Sequence, residues 1–248
     1  MSSKPGKRTV FLILFIIFIP ALVLALSANE IIKKLEDNLI YKTSKSTGRI
    51  KITDRFGERV SSFISYTSGA DKSIVEFTDK VEAGQKILRL KDEIYLYYPD
   101  AEELIRLQGA ALKQNILGSD MSYEDMAGDK SILDSYRVTL EGEEPIDGIS
   151  CYKIQLIAKK RNVPYQRQTM WIDKQYFIYK KILQLAKSGK VLKKLTVRAF
   201  KTIKGHSIPT DILILDMLKK HSSTEFHIDS LTLNTALPEN TFNLQGLW

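Results

Sequence analysis

Apolar positions fall into three regimes along this chain. From Val10 to Leu26 every residue is apolar, with Pro20 the one interruption of the run. Ile31, Leu35 and Leu39 then recur at i, i+4 and i+8, and Ile32 and Ile40 widen the stripe, which predicts a helix with one buried face. Ser27 and Glu30 stand at capping-box spacing, so that helix is expected to begin just after Ser27. Beyond Thr47 the period falls to two, as in Ile50 and Ile52 against Arg49 and Lys51. Short alternating runs continue to Leu233, punctuated by Gly57, Ser68-Gly69, Gly84, Pro99-Asp100, Gly189 and Lys204-Gly205-His206. About 11–12 strands at this spacing predict a mainly β protein whose antiparallel sheet is strongly curved or closed. One segment, from Gly109 to Lys130, breaks the alternation: Ala110–Leu117 reads as a short helix ending at Gly118, and Ser122–Met126 as another. A β shell with two helical elements has room for them at its mouth or on its hollow face.

Lys4, Lys7 and Arg8 precede the first apolar run, and small residues at Ala25 and Ser27 follow it. This is the layout of a secretory signal peptide over residues 1–27, cleaved near 25–27. Cleavage after Ala25 would leave Ser27 to cap the helix. The alternative is an inner-membrane anchor formed by residues 10–26, at the short limit for spanning a bilayer. The expected compartment is the periplasm. No internal repeat or low-complexity linker divides the remainder, so residues 28–248 read as one domain. Cys151 is the only cysteine, which excludes an intrachain disulfide and, in its strand-like run, reads as a buried spectator.

Charge is distributed unevenly. The net charge is +8, yet residues 153–204 hold 15 basic groups and the single acid Asp173. A block this basic suggests nucleic acid in a cytosolic protein. Export removes that partner and leaves anionic lipid headgroups, an acidic protein face, or a plain solvated surface. Strand alternation is expected to turn most of the block outward.

No nucleophile elbow, P-loop, dinucleotide fingerprint or H-E-x-x-H motif is present. Ser119 beside Asp120 invites a hydrolase reading, which would need a histidine supplied by the fold. His221 and Glu225 on one strand face would stand ~13 Å apart, too far for one metal. Asp120, Glu124, Asp125 and Asp129 lack the alternation of a calcium loop and read as acids at a solvated helix N-terminus. No catalytic residue, metal or cofactor is expected.

The run Ile87–Pro99 leads through Ile105-Arg106-Leu107 to Leu117-Gly118-Ser119-Asp120-Met121-Ser122-Tyr123-Glu124-Asp125-Met126. It resembles the outer-membrane lipoprotein-sorting (LolA-like) family, whose members carry a similar Gly-Ser-Asp block after a strand ending in Tyr-x-Pro. Here the motif residues are Gly118, Ser119, Asp120, Tyr123, Glu124 and Asp125. Further matches at Gly148, Cys151-Tyr152, Tyr165, Trp171-Ile172-Asp173, Ser188-Gly189-Lys190 and Pro209 extend the resemblance over residues 75 to 248. It implies a half-open antiparallel β-barrel with an N-terminal helix and a short mid-chain helical segment packed on the hollow face. It also implies a monomeric, non-enzymatic carrier of acyl chains or lipoproteins. Such a carrier would receive cargo from an inner-membrane donor complex and pass it to an outer-membrane acceptor or an anionic membrane surface. The alternative is a sensor or interaction module with a helix-filled barrel and a basic docking face. The arginine that latches the helical lid in the best-known members falls near Ser68-Gly69, where this chain has none. The expected lining of the hollow is Leu88, Leu90, Ile94, Leu96, Ile154 and Leu156 on strands, with Ile31, Leu35, Leu112 and Ile116 on the helical elements. A one-residue change of register would exchange inward and outward positions.

Overall fold

The computed structural model describes residues 25–127 and 131–248. Most of the expected export segment and Asp129 lie outside the described residues. Helix α1 (Ala28–Leu39) opens the fold, with Ser27 as its N-cap and the Ser27–Glu30 capping box formed in both directions. Its apolar stripe buries Ile31, Ile32 and Leu35. Six strands follow: β1 (Thr43–Asp54), β2 (Gly57–Ser68), β3 (Lys72–Phe77), β4 (Lys86–Leu90), β5 (Glu93–Tyr98) and β6 (Glu103–Leu107). A crossover from Gln108 to Ser135 comes next, containing α2 (Tyr123–Ala127) and α3 (Ile132–Ser135). Seven further strands complete the sheet: β7 (Tyr136–Glu143), β8 (Cys151–Ala158), β9 (Arg167–Asp173), β10 (Tyr179–Leu185), β11 (Val191–Ile203), β12 (His206–Asp216) and β13 (Ser223–Leu233).

All 13 strands form one antiparallel sheet in the order β6-β5-β4-β3-β2-β1-β13-β12-β11-β10-β9-β8-β7. The sheet is open, and β6 and β7 are its two edges. The chain meanders outward from β1 to β6, jumps to the far edge at β7, and meanders back until β13 pairs with β1. Curvature comes from irregular registers, between Thr47 and Gly48, Leu140 and Gly142, and Val197 and Ala199. At Gly48 the backbone passes beneath the Phe63 ring, which stacks on Phe226 at 5.1 Å.

Two apolar clusters occupy the concave side. One lies under α1 and joins Ile31, Ile32 and Leu35 to Ile154, Leu156, Met170, Ile172 and Ile182. The other lies under the front of the crossover and joins Ile50, Ile52, Phe63, Phe77, Ile94, Leu96 and Ile116. A third cluster sits on the convex side, where Leu247, Phe242 and Leu244 cover Ile74, Leu88 and Tyr97.

Three expectations change. The first mid-chain helix is instead a pair of 3-10 turns, Gly109–Lys113 and Ile116–Gly118, because Gln114 and Asn115 are extended and Asn115 bridges to Ser122. Leu88 and Leu90 leave the hollow. The two-residue turn Lys91-Asp92 pairs Leu90 with Glu93 and Arg89 with Ile94, so residues of like parity on β4 and β5 face opposite ways. The basic block is also less uniformly outward than alternation suggested. Lys180 is 6% exposed, and the Lys193 side chain is turned into the concave side.

Adding a Cβ at Gly48 would place it 2.3 Å from the His227 carbonyl oxygen and 2.6 Å from the Phe63 ring. Gly48→Ala is therefore expected to destabilise the fold by about 1–3 kcal/mol, read by urea denaturation. Cys151 is fully buried, and burial raises its thiol pKa to about 11. It should resist iodoacetamide at about pH 8 until denaturant is added, because only the thiolate reacts.

Candidate functional site

The connection between the two edges packs its front half over the hollow. Its front half is a compact loop in which Ile116 N donates to Met121 O (2.8 Å) and Tyr123 N to Gln114 O (3.1 Å). Ile116 and Tyr123 point down into the second cluster, with Leu112, Met121 and Met126 packed against it. Burial raises the Tyr123 hydroxyl pKa to about 12.

Polar contacts fasten this segment at three places. Asp125 is the most heavily bonded. It accepts from Ser122 N and Ser122 Oγ, both at 2.8 Å, which makes Ser122 the cap of α2. It also accepts from the Tyr165 hydroxyl and from Lys193 Nζ on β11. The Lys193 and Asp125 side chains are 11% and 13% exposed, so the ion pair is nearly out of water. Tyr165 is itself tied to β7 through Tyr136, whose hydroxyl donates to the Tyr165 carbonyl at 2.9 Å. Burial and the neighbouring Asp125 carboxylate push the Tyr165 hydroxyl pKa far up, so it stays a donor.

Asp120 makes the second attachment. It is fully buried, its N–H donates to Thr224 Oγ1 (2.7 Å), and its Oδ1 accepts from Ser222 Oγ (2.6 Å) and Lys219 Nζ (3.1 Å). Asp120 and Asp125 are thus buried anchors rather than solvated helix-end acids. The Ser119 hydroxyl is spent locally, accepting from Met121 N and donating to Met121 O. The third attachment is Arg89 on β4, which donates to the carbonyls of Ala127 and Ala70. Burial lowers the Arg89 pKa. An arginine therefore meets the helical segment beside Gly69, reaching it from β4 rather than from the end of β2.

Cavities surround α2 on three sides. One of ≈220 Å³ lies inward, lined by Met121, Asp125, Tyr136, Tyr165, Leu195 and Ile214. Gln184 Oε1, which also faces it, has no hydrogen-bond partner among the described residues. A second, of ≈500 Å³, lies between Glu124, Ala127, Asp134 and Val163. A third, of ≈370 Å³, runs between Met126, Ala127 and Arg89 on one side and Glu36 and Leu39 of α1 on the other. Of the sequence-predicted positions, Ile31, Leu35, Ile154 and Leu156 meet in the first concave cluster. Ile94, Leu96, Leu112 and Ile116 meet in the second. Gly118 adjoins Arg59, and Glu124 borders two of the cavities. Sequence reasoning missed Arg89, Lys193 and Lys219, and gave Tyr165 no role beyond a match of the resemblance. Lys193 carried a usable signal, since it shares parity with Leu195 and Val197 of the concave side. The arrangement is an apolar hollow closed by a segment held at discrete polar points. It is suited to reversible enclosure of an apolar ligand.

A family model described only as that of an uncharacterized protein matches residues 69–247. A DUF1329 family protein from Desulfovibrio piger has a similar structure, with TM-score 0.83 and 23% identity, over 89% of this chain and 98% of that one. A Vibrio parahaemolyticus domain described as outer membrane lipoprotein-sorting aligns with TM-score 0.79 and 21% identity, over 88% and 97%. A LolA superfamily protein from Nitrosomonas europaea aligns with TM-score 0.72 and 25% identity, over 90% and 100%. In sequence, the protein translocase subunit SecA of Prosthecochloris aestuarii is 27% identical over 166 residues. That match takes in 60% of this chain but 16% of the translocase, so the translocase's activity does not carry over.

Removing the Asp125 charge leaves Lys193 buried without its partner, a loss of about 3–5 kcal/mol for such pairs. Asp125→Asn is expected to speed hydrogen exchange at amides 122–127 by at least about tenfold while strands β8–β10 stay protected.

Proposed function

We propose that this chain, which belongs to the family matched over residues 69–247 and has the fold of the LolA superfamily, is a periplasmic carrier of acyl chains or lipidated cargo. The observation that carries the reading is the set of three cavities around α2. The inner one, ≈220 Å³, is below the ~300–1,000 Å³ of ordinary ligand pockets. Swinging α2 away from Asp125's partners and Arg89 would join the three into one groove between the two concave clusters, apolar in its inner part and polar toward Asp134 and Lys160. An interior filled by its own helices, as in a pure interaction module, would leave no such spaces around the segment.

Magnitudes fit a carrier. A sixteen-carbon chain buries ~14 methylenes at about 0.8 kcal/mol each, or roughly 11 kcal/mol relative to water. Release into water would be slow, so cargo must pass directly to another apolar site. The polar attachments of the crossover supply the needed gate. Each holds the segment in the closed form, although Asp120 Oδ2 has no hydrogen-bond partner among the described residues, and each can exchange its partner for water when the segment lifts. The signal-peptide pattern of residues 1–27 supports the periplasm, where lipids must cross water between two membranes. Among the described residues no helix is long and apolar enough to cross a membrane. The Ser119 hydroxyl is engaged with the Met121 backbone, which speaks against Ser119 as a nucleophile.

Native mass spectrometry of the purified protein with bacterial lipid extract tests this. The expected result is a bound acyl species that Ile214→Trp, which fills the inner cavity, weakens at least about tenfold with the fold intact by circular dichroism. Repeated absence of any acyl adduct on the wild-type protein would refute the carrier.

A further inference from the structure

The two ends of the sheet differ in character. At one end lie the turns β1–β2, β12–β13 and β10–β11, brought side by side by the pairings Thr53 with Ser223, Asp216 with Lys193, and Leu185 with Val191. They span six adjacent strands, roughly 24 Å at ~4.8 Å per strand. Large apolar side chains project from these tips into solvent: Phe56 is 83% exposed, Leu218 58% and Met217 50%. Basic side chains accompany them. Arg55 stacks over the Phe56 ring at 4.6 Å, Lys219 and Lys220 follow Leu218, and Lys187 and Lys190 flank the third tip. Residues 55–56, 186–190 and 217–222 contain no acid. Of the bordering acids, Asp54 accepts from Phe56 N and Asp216 from Leu218 N, and the exposed Glu58 is paired with Lys51 Nζ at 2.9 Å.

We propose that this rim docks on a bilayer surface carrying anionic lipid, with Phe56, Met217 and Leu218 entering the interface and the adjoining lysines and Arg55 lying among headgroup phosphates. Isolated apolar side chains on turn tips do not form the packed centre that a protein partner requires. A lipid surface needs no shape complement, and it rewards protruding apolar groups ringed by basic ones. The rim is also linked to the gate. Lys219, between Leu218 and Lys220, donates to Ser119 O (3.0 Å) and to Asp120, so the docking tip holds the crossover directly. The acyl chain's exit is thereby placed at the surface that would receive it. This part rests on the carrier reading; the docking itself does not.

The test uses the full chain with an environment-sensitive fluorophore on Ser188→Cys, at the third tip, or on Gln175→Cys, at the opposite end of the sheet. Cys151 is buried and stays unlabelled in the native protein. Vesicles of phosphatidylcholine with phosphatidylglycerol should brighten the probe at 188 and expose it to a lipid-borne quencher. The probe at 175 should not respond, and neither should 188 on phosphatidylcholine alone. Because the readout is local to each probe, binding through residues 1–27 does not imitate it. Charge reversal at Lys187, Lys190 and Lys220 to Glu, and separately Phe56→Ser with Leu218→Ser, should each weaken the response at 188 at least about tenfold. Silence at 188, an equal response at 175, or variants within about twofold of wild type would overturn docking. Acyl binding measured in the same samples reports separately on the hollow, so either idea can fail without the other.

Discussion

The constraint on which everything else depends is topological. Strands β6 and β7 are consecutive in the chain yet form opposite edges of one 13-stranded sheet. The described residues at the front of that connection pack on the concave side, where the curved sheet is hollow and apolar. The crossover is therefore both connection and cover. Its inner face supplies Ile116 and Tyr123 to the hollow, while its polar residues must find partners where water is scarce. Asp120 and Asp125 do so on the β12–β13 turn, β13, β11 and the β8–β9 loop.

Those partners give the cover a particular energetic character. Buried ion pairs add little net stability compared with apolar packing, yet losing one partner is strongly unfavourable. A segment held this way has one well-defined closed position and few intermediate ones. Helix α1 contrasts with it. It is fixed by three fully buried aliphatic side chains and, at its far end, by Asn38, which bonds Tyr176 O, Phe177 O and Ser207 N. We read α1 as a permanent wall of the hollow and α2 as its movable one.

Much of the fold was legible in the sequence because its signals are local. The Ser27–Glu30 pair and the Ile31-Leu35 spacing mark α1, and period-two runs with glycine turns mark the strands. Apolar spacing at Leu112 and Ile116 could not separate an α-helix from two 3-10 turns, since the break at Gln114-Asn115 depends on a bridge to Ser122. The misplacement of Leu88 and Leu90 was avoidable: a two-residue turn at Lys91-Asp92 fixes the opposite parity of β4 and β5. The anchors were not avoidable in that way. Lys193 lies 68 residues from Asp125 in the chain, and Lys219 lies 99 from Asp120, so only the assembled sheet brings them together. The Gly-Ser-Asp motif pointed to the right segment without showing that its acids are buried attachments.

We propose that the hollow beneath the crossover encloses an acyl chain. Photo-crosslinking with a diazirine-bearing fatty acid, followed by mass-spectrometric mapping of the adducts, tests it most directly. Enclosure in the hollow predicts adducts on peptides containing Tyr165, Leu195 and Ile214, suppressed by excess unlabelled fatty acid. Adducts confined to exposed tips such as Phe56 and Leu218, or insensitive to competition, would contradict it.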